Sequence, residues 1–286
     1  MAMDFAPSSP TSDDGKLARL CGEQGEDGVV DVMPGLQLYV RQLPFYSSLV
    51  VTHKGGTVWP SSEILGRFVA LGLAERLRDI PVVELGCGVG AVPGCVAAHF
   101  GAKVTVTDLA EVVPLASQNA QANGLTLTSV ALPWGSQVPQ MLAAGDTELV
   151  LASDVLYDSG EHEAVATTIT DLLSPTGIVL IASQERTAAD GAFFLMLRAQ
   201  GWATSRLDIE DVFDVSGSSS AFRSAMVVRI CWRGDGPPPS WCGLDSRLLP
   251  DIFEPSDARS DYADCQSVFG ELADLDDPPF APGEID

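Results

Sequence analysis

Three glycines at alternate positions follow a short apolar run in the middle part of the chain. Gly86, Gly88 and Gly90 lie between that run and a helical pattern that opens at Ala91. Glycine lets the backbone turn tightly and approach a ligand closely. The stretch also satisfies the Gly-x-Gly-x-x-Ala form of the dinucleotide fingerprint, so alone it leaves the nucleotide class open. Glu84 and the Gly-x-Gly-x-Gly spacing favour a nucleoside cofactor that carries no pyrophosphate.

An acidic residue follows the next predicted strand. Asp108 comes eighteen residues after Gly90, where the fold would bring a strand end beside the glycine loop. A carboxylate there can accept hydrogen bonds from both ribose hydroxyls of a nucleoside. Nicotinamide enzymes place an acid similarly, so Asp108 does not choose between cofactors. Trp134, after the third strand, can flank an adenine or serve as a core residue.

Asp154 and Tyr157 follow a predicted strand that ends at Ser153. In an open parallel sheet, ligands bind beyond the carboxyl ends of the strands. The two side chains are therefore expected to meet a substrate beside the cofactor. A nicotinamide enzyme would need a hydride-handling partner, such as a Tyr-x-x-x-Lys helix or a positioned histidine, and the sequence shows neither.

Apolar runs and helical patterns alternate along the chain and must position these residues. The predicted strands are 82–85, 103–107, 126–132, 149–153, 178–183, 204–207 and 225–232. The predicted helices are 61–78, 91–100, 112–122, 161–173 and 190–200. This alternation indicates an α/β parallel sheet covered on both faces. No helix is evident between the last two strands, which predicts an antiparallel partner, and residues 37–40 and 49–52 are a candidate hairpin around Pro44.

Charge divides the chain into three parts. The net charge is −23, and the acidic residues are concentrated at the two ends. We expect a flexible acidic segment at 1–28, a folded domain at 29–233, and a Pro-rich break with an acidic, disordered tail at 234–286. An acidic surface repels phosphate backbones, so we expect a basic protein segment as partner and no nucleic acid.

Other classes of protein are disfavoured by what the sequence lacks. No apolar run reaches the length of a membrane helix, and the start has no secretory signal, so we expect no membrane contact and a cytoplasmic location, with the nucleus as alternative. The six cysteines form no CxxC pair and the three histidines are scattered. We therefore expect no metal site and no disulfide framework.

Five motifs together carry a family resemblance. They are Gly55-Gly-Thr-Val-Trp59-Pro-Ser-Ser62, Glu84-Leu-Gly-Cys-Gly-Val-Gly90, Asn119-Ala-Gln-Ala-Asn123-Gly-Leu125, Asp154-Val-Leu-Tyr157, and Gln184-Glu-Arg186 followed by Phe193-Phe194. Over residues 30–233 the chain resembles the seven-β-strand S-adenosylmethionine-dependent methyltransferases, and among them the Asp-x-x-Tyr protein-lysine methyltransferases of methyltransferase family 16. The resemblance implies a doubly wound, mostly parallel, seven-stranded Rossmann-like sheet with helices on both faces and an antiparallel last strand.

The resemblance also implies a site. The S-adenosylmethionine pocket would be built from Trp59, Glu84, Gly86, Cys87, Gly88, Asp108, Trp134 and Ser153, with Asp154 and Tyr157 as catalytic residues at the acceptor side. Pro133 departs from the family, whose members usually have Asp before the tryptophan, which affects the contact at the adenine edge.

The activity that the resemblance implies is methylation of a lysine side chain on a non-histone protein, by an enzyme expected to be monomeric. Three alternatives stay open. The acceptor could be a histidine, an arginine or a small amine; the chain could bind the cofactor without catalysis; or it could be a nicotinamide dehydrogenase.

Overall fold

An eight-stranded sheet with helices on both faces forms the centre of the fold. The structure is a computed structural model that describes residues 26–43, 55–142, 144–184, 188–214 and 226–249. Its helices are α1 (Pro60–Gly72), α2 (Val92–His99), α3 (Val113–Ala122), α4 (His162–Leu172), α5 (Ala188–Ala199) and α6 (Glu210–Asp214). Its strands are β1 (Glu26–Met33), β2 (Leu36–Gln42), β3 (Pro81–Leu85), β4 (Lys103–Asp108), β5 (Thr128–Ala131), β6 (Thr147–Ser153), β7 (Leu173–Gln184), β8 (Trp202–Leu207), β9 (Met226–Arg233) and β10 (Leu248–Leu249).

The strands lie in the order β10-β8-β9-β7-β6-β3-β4-β5. Strands β3 to β7 run parallel, whereas β9 is antiparallel to both β7 and β8. The predicted fold class is confirmed: the seven predicted strands are β3 to β9, and the two-residue β10 adds an eighth. The chain steps from β3 to β4 on one side and returns to β6 on the other, so the topological switch point lies between β3 and β6. Ligands bind at such a point in open α/β sheets.

Successive residues of the central strands pack into two separate cores. In β6, Leu149 and Leu151 join the core beneath α1 and α2, whereas Val150 and Ala152 join the core beneath α4 and α5. Because both faces are covered, these strands are continuously apolar instead of alternating. Within the described ranges, none of the helices has the length and apolar character needed to cross a bilayer.

Two helices differ from their predicted form. The helix predicted over 61–78 ends at Gly72, and a separate 3-10 turn follows at Ala74–Arg76. The five-residue α6 occupies the connection between β8 and β9, where no helix was predicted. Such a short helix spans little more than one turn, so it leaves no readable apolar period.

A β-hairpin at the start of the described chain is formed differently from the prediction. Strand β2 pairs with β1, through a loop of Pro34 and Gly35, and the predicted partner 49–52 lies outside the described residues. Gly35 has φ +86°, and proline followed by glycine is the sequence preference of a type II turn. Pro34-Gly35 is therefore a turn signal in the sequence that the hairpin predicted around Pro44 did not include.

The packed structure continues past the predicted boundary at residue 233. Cys242 and Leu244 are buried, and the Trp241 indole N–H donates to the Thr176 carbonyl at 3.0 Å. Arg247 forms a two-pronged ion pair with Asp211, with N–O distances of 2.9 and 2.7 Å. We call residues 234–249 the C-terminal strap. Residues 1–25 and 250–286 lie outside the described residues, so the predicted flexible segment and tail remain predictions there.

Candidate functional site

The glycine loop after β3 needs glycine for reasons visible in its surroundings. Gly86 and Gly88 have φ of +64° and +57°, a left-handed conformation that costs other residues energy. A side chain at Gly88 would place its Cβ 3.2 Å from the Gly55 carbonyl oxygen, and one at Gly86 would lie 3.1 Å from Trp134. The loop is therefore packed closely by backbone and aromatic groups, and it forms the floor of a pocket.

Asp108, the last residue of β4, lies directly beside this loop. Its Oδ2 accepts a hydrogen bond from the Gly88 N–H at 2.8 Å, and its Oδ1 accepts one from the Leu109 N–H at 2.7 Å. The parallel pairing of β3 with β4 brings the two strand ends together. The carboxylate lines the pocket, as the sequence reading expected.

Glu84 is the one predicted cofactor residue that does not line the pocket. Its side chain is fully buried behind the loop, where Oε2 accepts from the Gly94 N–H at 2.7 Å and Oε1 has no partner. Burial raises the pKa of this carboxyl to about 8, opposed by the Gly94 bond. Glu84 thus ties β3 to the first turn of α2 instead of contacting a ligand.

The segment after β6 begins with a strained residue. Asp154 has φ +55°, and its N–H donates to the Ala182 carbonyl on β7 at 2.9 Å. Left-handed backbone at a residue other than glycine costs about 1 kcal/mol and is concentrated at functional sites. The turn places Asp154 and Tyr157 on the pocket wall. It also brings Val155 against Gly86.

Two aromatic rings meet at this wall. The ring centroids of Trp134 and Tyr157 are 6.3 Å apart with a 57° tilt, and Tyr157 is 47% exposed. Partial burial raises the pKa of the Tyr157 phenol. The nearby carboxylates raise this pKa further, and Asp108 contributes most among them. The phenol therefore stays neutral near pH 7.

Apart from Glu84, these groups line one pocket of about 480 Å³ at the switch point. Four of its lining residues are acidic. The lining comprises Gly55, Thr57, Val58, Trp59, Ser62, Gly86, Cys87, Gly88, Gly90, Asp108, Leu109, Leu132, Pro133, Trp134, Ser153, Asp154, Val155, Tyr157, Asp158 and Glu161. The pocket is therefore suited to a cationic ligand.

The structure brings together every predicted site residue except Glu84. It also adds lining residues that the sequence reading did not single out, among them Ser62, Leu109 and Glu161. Leu109 directly follows Asp108, and Ser62 belongs to the Trp59-Pro-Ser-Ser motif, so position beside a motif was the available signal. Burial raises the pKa of the Cys87 thiol well above its usual range, so this pocket residue is a neutral thiol. Within the described parts of the chain, no three His, Cys, Asp or Glu side chains are grouped to hold a metal ion.

Comparison with known proteins identifies the family. Residues 46–200 match the lysine methyltransferase family, and this range holds both the glycine loop and the Asp154–Tyr157 turn. The chain belongs to the lysine methyltransferase family.

Similar proteins have been named for two kinds of acceptor. The protein N-lysine methyltransferase METTL21A of Mus musculus is 32% identical over 148 residues, which is 50% of this chain and 66% of that protein. The histone-arginine methyltransferase METTL23 of Xenopus laevis is 32% identical over 124 residues, or 42% of this chain and 52% of that protein. The matches thus span between about half and two thirds of these relatives.

Solved structures share the fold. The Thermus thermophilus 16S rRNA N2 G1207 methyltransferase RsmC, in complex with AdoMet and guanosine, has a TM-score of 0.50 at 18% identity, covering 74% of this chain and 51% of that one. At this identity the likeness concerns the fold alone. It agrees with the Rossmann-like architecture of the family.

Proposed function

We propose that this protein transfers a methyl group from S-adenosylmethionine to a lysine side chain of a non-histone protein. Membership of the lysine methyltransferase family supports the reaction class. The pocket supports it independently, because a glycine loop, the Asp108 carboxylate and the Asp154–Tyr157 turn all face one cavity.

The charge of the pocket is the observation that carries this proposal. Asp108, Asp154, Asp158 and Glu161 all line it. A sulfonium cofactor and a lysine ammonium are both cations, so each is attracted. A pyrophosphate would be repelled, and the Gly94 N–H at the start of α2 is already bonded to Glu84. Because a nicotinamide cofactor carries a pyrophosphate, the acidic lining also disfavours a nicotinamide dehydrogenase activity.

The residues present fit S-adenosylmethionine. Asp108 would accept hydrogen bonds from the ribose hydroxyls, and Leu109 and Trp134 offer apolar surface for the adenine. When bound, the cofactor supplies an electrophilic methyl group on its sulfonium. The chain contributes mainly by holding the two reactants in place, which can account for much of the rate of such a displacement.

Asp154 acts on the acceptor. A lysine amine is nucleophilic only when neutral, yet its ordinary pKa is about 10.4. The Asp154 carboxylate attracts the ammonium group and orients Nζ, although as a charge alone it would raise the lysine pKa. The enclosed site has the opposite effect. The Nζ proton therefore passes to solvent before transfer, and Tyr157, neutral and beside Trp134, packs along the lysine side chain.

An arginine acceptor is the second candidate. The likeness to the Xenopus laevis histone-arginine methyltransferase favours it, and a guanidinium would be attracted to the same carboxylates. Lysine is preferred here because the family match as a whole is to lysine methyltransferases. The two acceptors are distinguished by identifying the methylated residue.

The net charge of the chain also indicates which class of partner it binds. We infer a protein substrate with an accessible lysine in a basic segment, and no nucleic acid, because the chain carries a net charge of −23. The cytoplasm or nucleus is the proposed compartment, where the free thiols of Cys87, Cys95 and Cys242 stay reduced. We propose that the protein is a monomer.

The test is transfer of labelled methyl groups. Purified protein is incubated with methyl-labelled S-adenosylmethionine and a cell extract, and mass spectrometry identifies the modified residue. We expect label on lysine Nζ, and loss of nearly all turnover in Asp154→Ala with an unchanged thermal melt. Asp171→Asn removes an exposed carboxylate outside the pocket and should behave as the parent protein. Label confined to arginine, or full turnover in Asp154→Ala, would contradict the proposal.

A further inference from the structure

A short segment before helix α1 forms one wall of the pocket. Gly55, Thr57 and Val58 line the pocket, and we call residues 55–58 the wall segment. The segment is neither helix nor strand, and Trp59, the N-cap of α1, makes no side-chain capping bond. Bonds from other parts of the chain must therefore fix the position of this wall.

The glycine loop contacts the wall segment at both of its ends. The Val89 N–H donates to the Gly55 carbonyl at 2.8 Å. A Cβ at Gly90 would lie only 2.7 Å from Val58 Cγ2, so the Val58 side chain packs directly on the backbone of the loop. A shift of the wall segment would therefore change the pocket beside the glycine loop.

Strand β2 holds the same segment through one side chain. Gln42, the last residue of β2, accepts two hydrogen bonds at Oε1, from the Thr57 hydroxyl at 2.6 Å and from the Val58 N–H at 2.7 Å. A carboxamide oxygen has two lone pairs, so one atom satisfies both donors. The neighbouring Leu43 N–H donates to the Gly56 carbonyl at 2.8 Å. The end of the first hairpin is thus bonded along the wall segment.

Gln42 is half-buried and does not itself line the pocket. It can therefore act on a ligand only through the residues that it holds, Thr57 and Val58. Loss of its oxygen would leave two partly buried donors without this acceptor, which is unfavourable. The wall segment would then relax toward another arrangement.

We propose that Gln42 is a positioning residue for the cofactor site, so that the first hairpin sets the affinity for S-adenosylmethionine without touching it. This inference rests on the proposed function, because it takes S-adenosylmethionine as the ligand of the pocket. The bonded oxygen of Gln42 is the feature that matters, since both of its partners in the wall segment are donors.

Calorimetry with S-adenosylmethionine tests this role. Gln42→Met keeps the length of the side chain and removes the oxygen, and Kd should rise about two- to tenfold, the value of a neutral hydrogen bond. Gln42→Glu keeps an acceptor oxygen and should bind nearly as tightly as the parent protein. Gln37→Met makes the same exchange at an exposed position of β2, where the side chain donates to Asp31, and should leave Kd unchanged.

Steady-state kinetics separate positioning of the cofactor from an effect on transfer. With a protein substrate identified by methyl labelling, Gln42→Met should raise KM for S-adenosylmethionine and leave kcat at saturating cofactor unchanged, because Asp154 and Tyr157 are untouched. A fall in kcat with an unchanged KM would overturn the role. Thermal melts verify folding, and Gln42→Asn, which withdraws the oxygen by one methylene, takes the place of Gln42→Met if that variant does not fold.

Amide hydrogen exchange at Val58 gives a measurement that needs no ligand. Its N–H should exchange faster in Gln42→Met than in the parent protein and in Gln37→Met. If the parent protein does not bind S-adenosylmethionine, the proposed function is wrong, whatever the exchange rates are. If the parent binds it and Kd is unchanged in Gln42→Met, or rises equally in Gln42→Met and Gln42→Glu, only the positioning role is wrong.

Discussion

Two carboxylates at the ends of adjacent strands have opposite surroundings. Asp108 faces the pocket and accepts hydrogen bonds from two backbone N–H groups. Glu84 is sealed behind the same loop, with one oxygen bonded and one without a partner. The first is placed to bind a ligand, and the second to hold the loop and α2 together.

Asp108→Ala should weaken S-adenosylmethionine binding. Loss of a charged hydrogen-bond acceptor costs about 1.5 to 3 kcal/mol, which corresponds to roughly a ten- to hundredfold rise in Kd. Calorimetry measures this directly, with a thermal melt to verify folding. An unchanged Kd would remove Asp108 from the ribose site.

Glu84→Gln should change how stability depends on pH. The pKa of the buried carboxyl is about 8, above its ordinary value of 4.5. Between these values the native carboxyl keeps a proton that the unfolded chain has released. The contribution of Glu84 to the free energy of unfolding is therefore fully present below about pH 4.5. It is lost as pH rises toward 8, by up to about 1.4 kcal/mol per pH unit.

The glutamine variant lacks this titration, so its advantage over the parent protein should grow from pH 5 to pH 8. Chemical denaturation at several pH values measures the free energy of unfolding of both. Glu75→Gln, at an exposed position, is the matched control and should follow the parent profile. Parallel profiles for Glu84→Gln and the parent would show that Glu84 is ionised in the native state.

At the scale of elements, α3 anchors the first hairpin to the site. The Asn123 amide bonds to both the N–H and the carbonyl of Tyr39 at 2.8 Å, and Asn119 bonds in the same way to Arg41 at 2.9 and 3.0 Å. Two amides one helical turn apart thus cover alternate residues of β2 as a neighbouring strand would. Asn119 Nδ2 also donates to the Val89 carbonyl of the glycine loop at 2.7 Å.

The two asparagines should therefore differ when replaced. Asn123→Ala, at a half-buried position, removes the bonds to the hairpin and a bond within α3 to the Asn119 carbonyl, but none to the glycine loop. Asn119→Ala also leaves the buried Val89 carbonyl without this donor, which costs about 1 to 3 kcal/mol. We expect both variants to be destabilised in denaturant, and Asn119→Ala alone to bind S-adenosylmethionine severalfold more weakly. Equal affinities in the two variants would separate the hairpin from the cofactor pocket.

At the scale of the whole molecule, acidic side chains are concentrated in the C-terminal part of the chain. Residues 250–286 hold eleven acidic side chains against Arg259. Such a segment can attract a basic substrate at distances up to the screening length of about 8 to 10 Å. Truncation after Leu249 should then raise KM for a lysine-containing protein substrate at low salt and leave kcat unchanged.

High salt should erase the difference between the full and the truncated chain, and identical KM values at low salt would exclude steering by the tail. Truncation after Arg233 is the contrasting variant. It deletes the C-terminal strap, with buried Cys242 and Leu244 and the Arg247–Asp211 pair. That variant should lose stability, which the cut after Leu249 should not.

The sequence by itself determined the order of strands and helices and most of the pocket. Buried parallel strands are continuously apolar, and motifs at strand ends meet because parallel strands finish at the same edge of the sheet. Gly86, Gly88, Asp108, Asp154 and Tyr157 could therefore be assigned to one pocket from position alone.

Only the tertiary structure decided which way side chains point and what covers them. Glu84 belongs to the same motif as the glycines, yet it turns away from the pocket to the Gly94 N–H in α2. The C-terminal strap gains its role from a neighbour distant in sequence, the Thr176 carbonyl that accepts from Trp241. Spacing along a chain fixes local conformation, whereas burial and hydrogen bonding depend on contacts that form only when the sheet and its helices pack together.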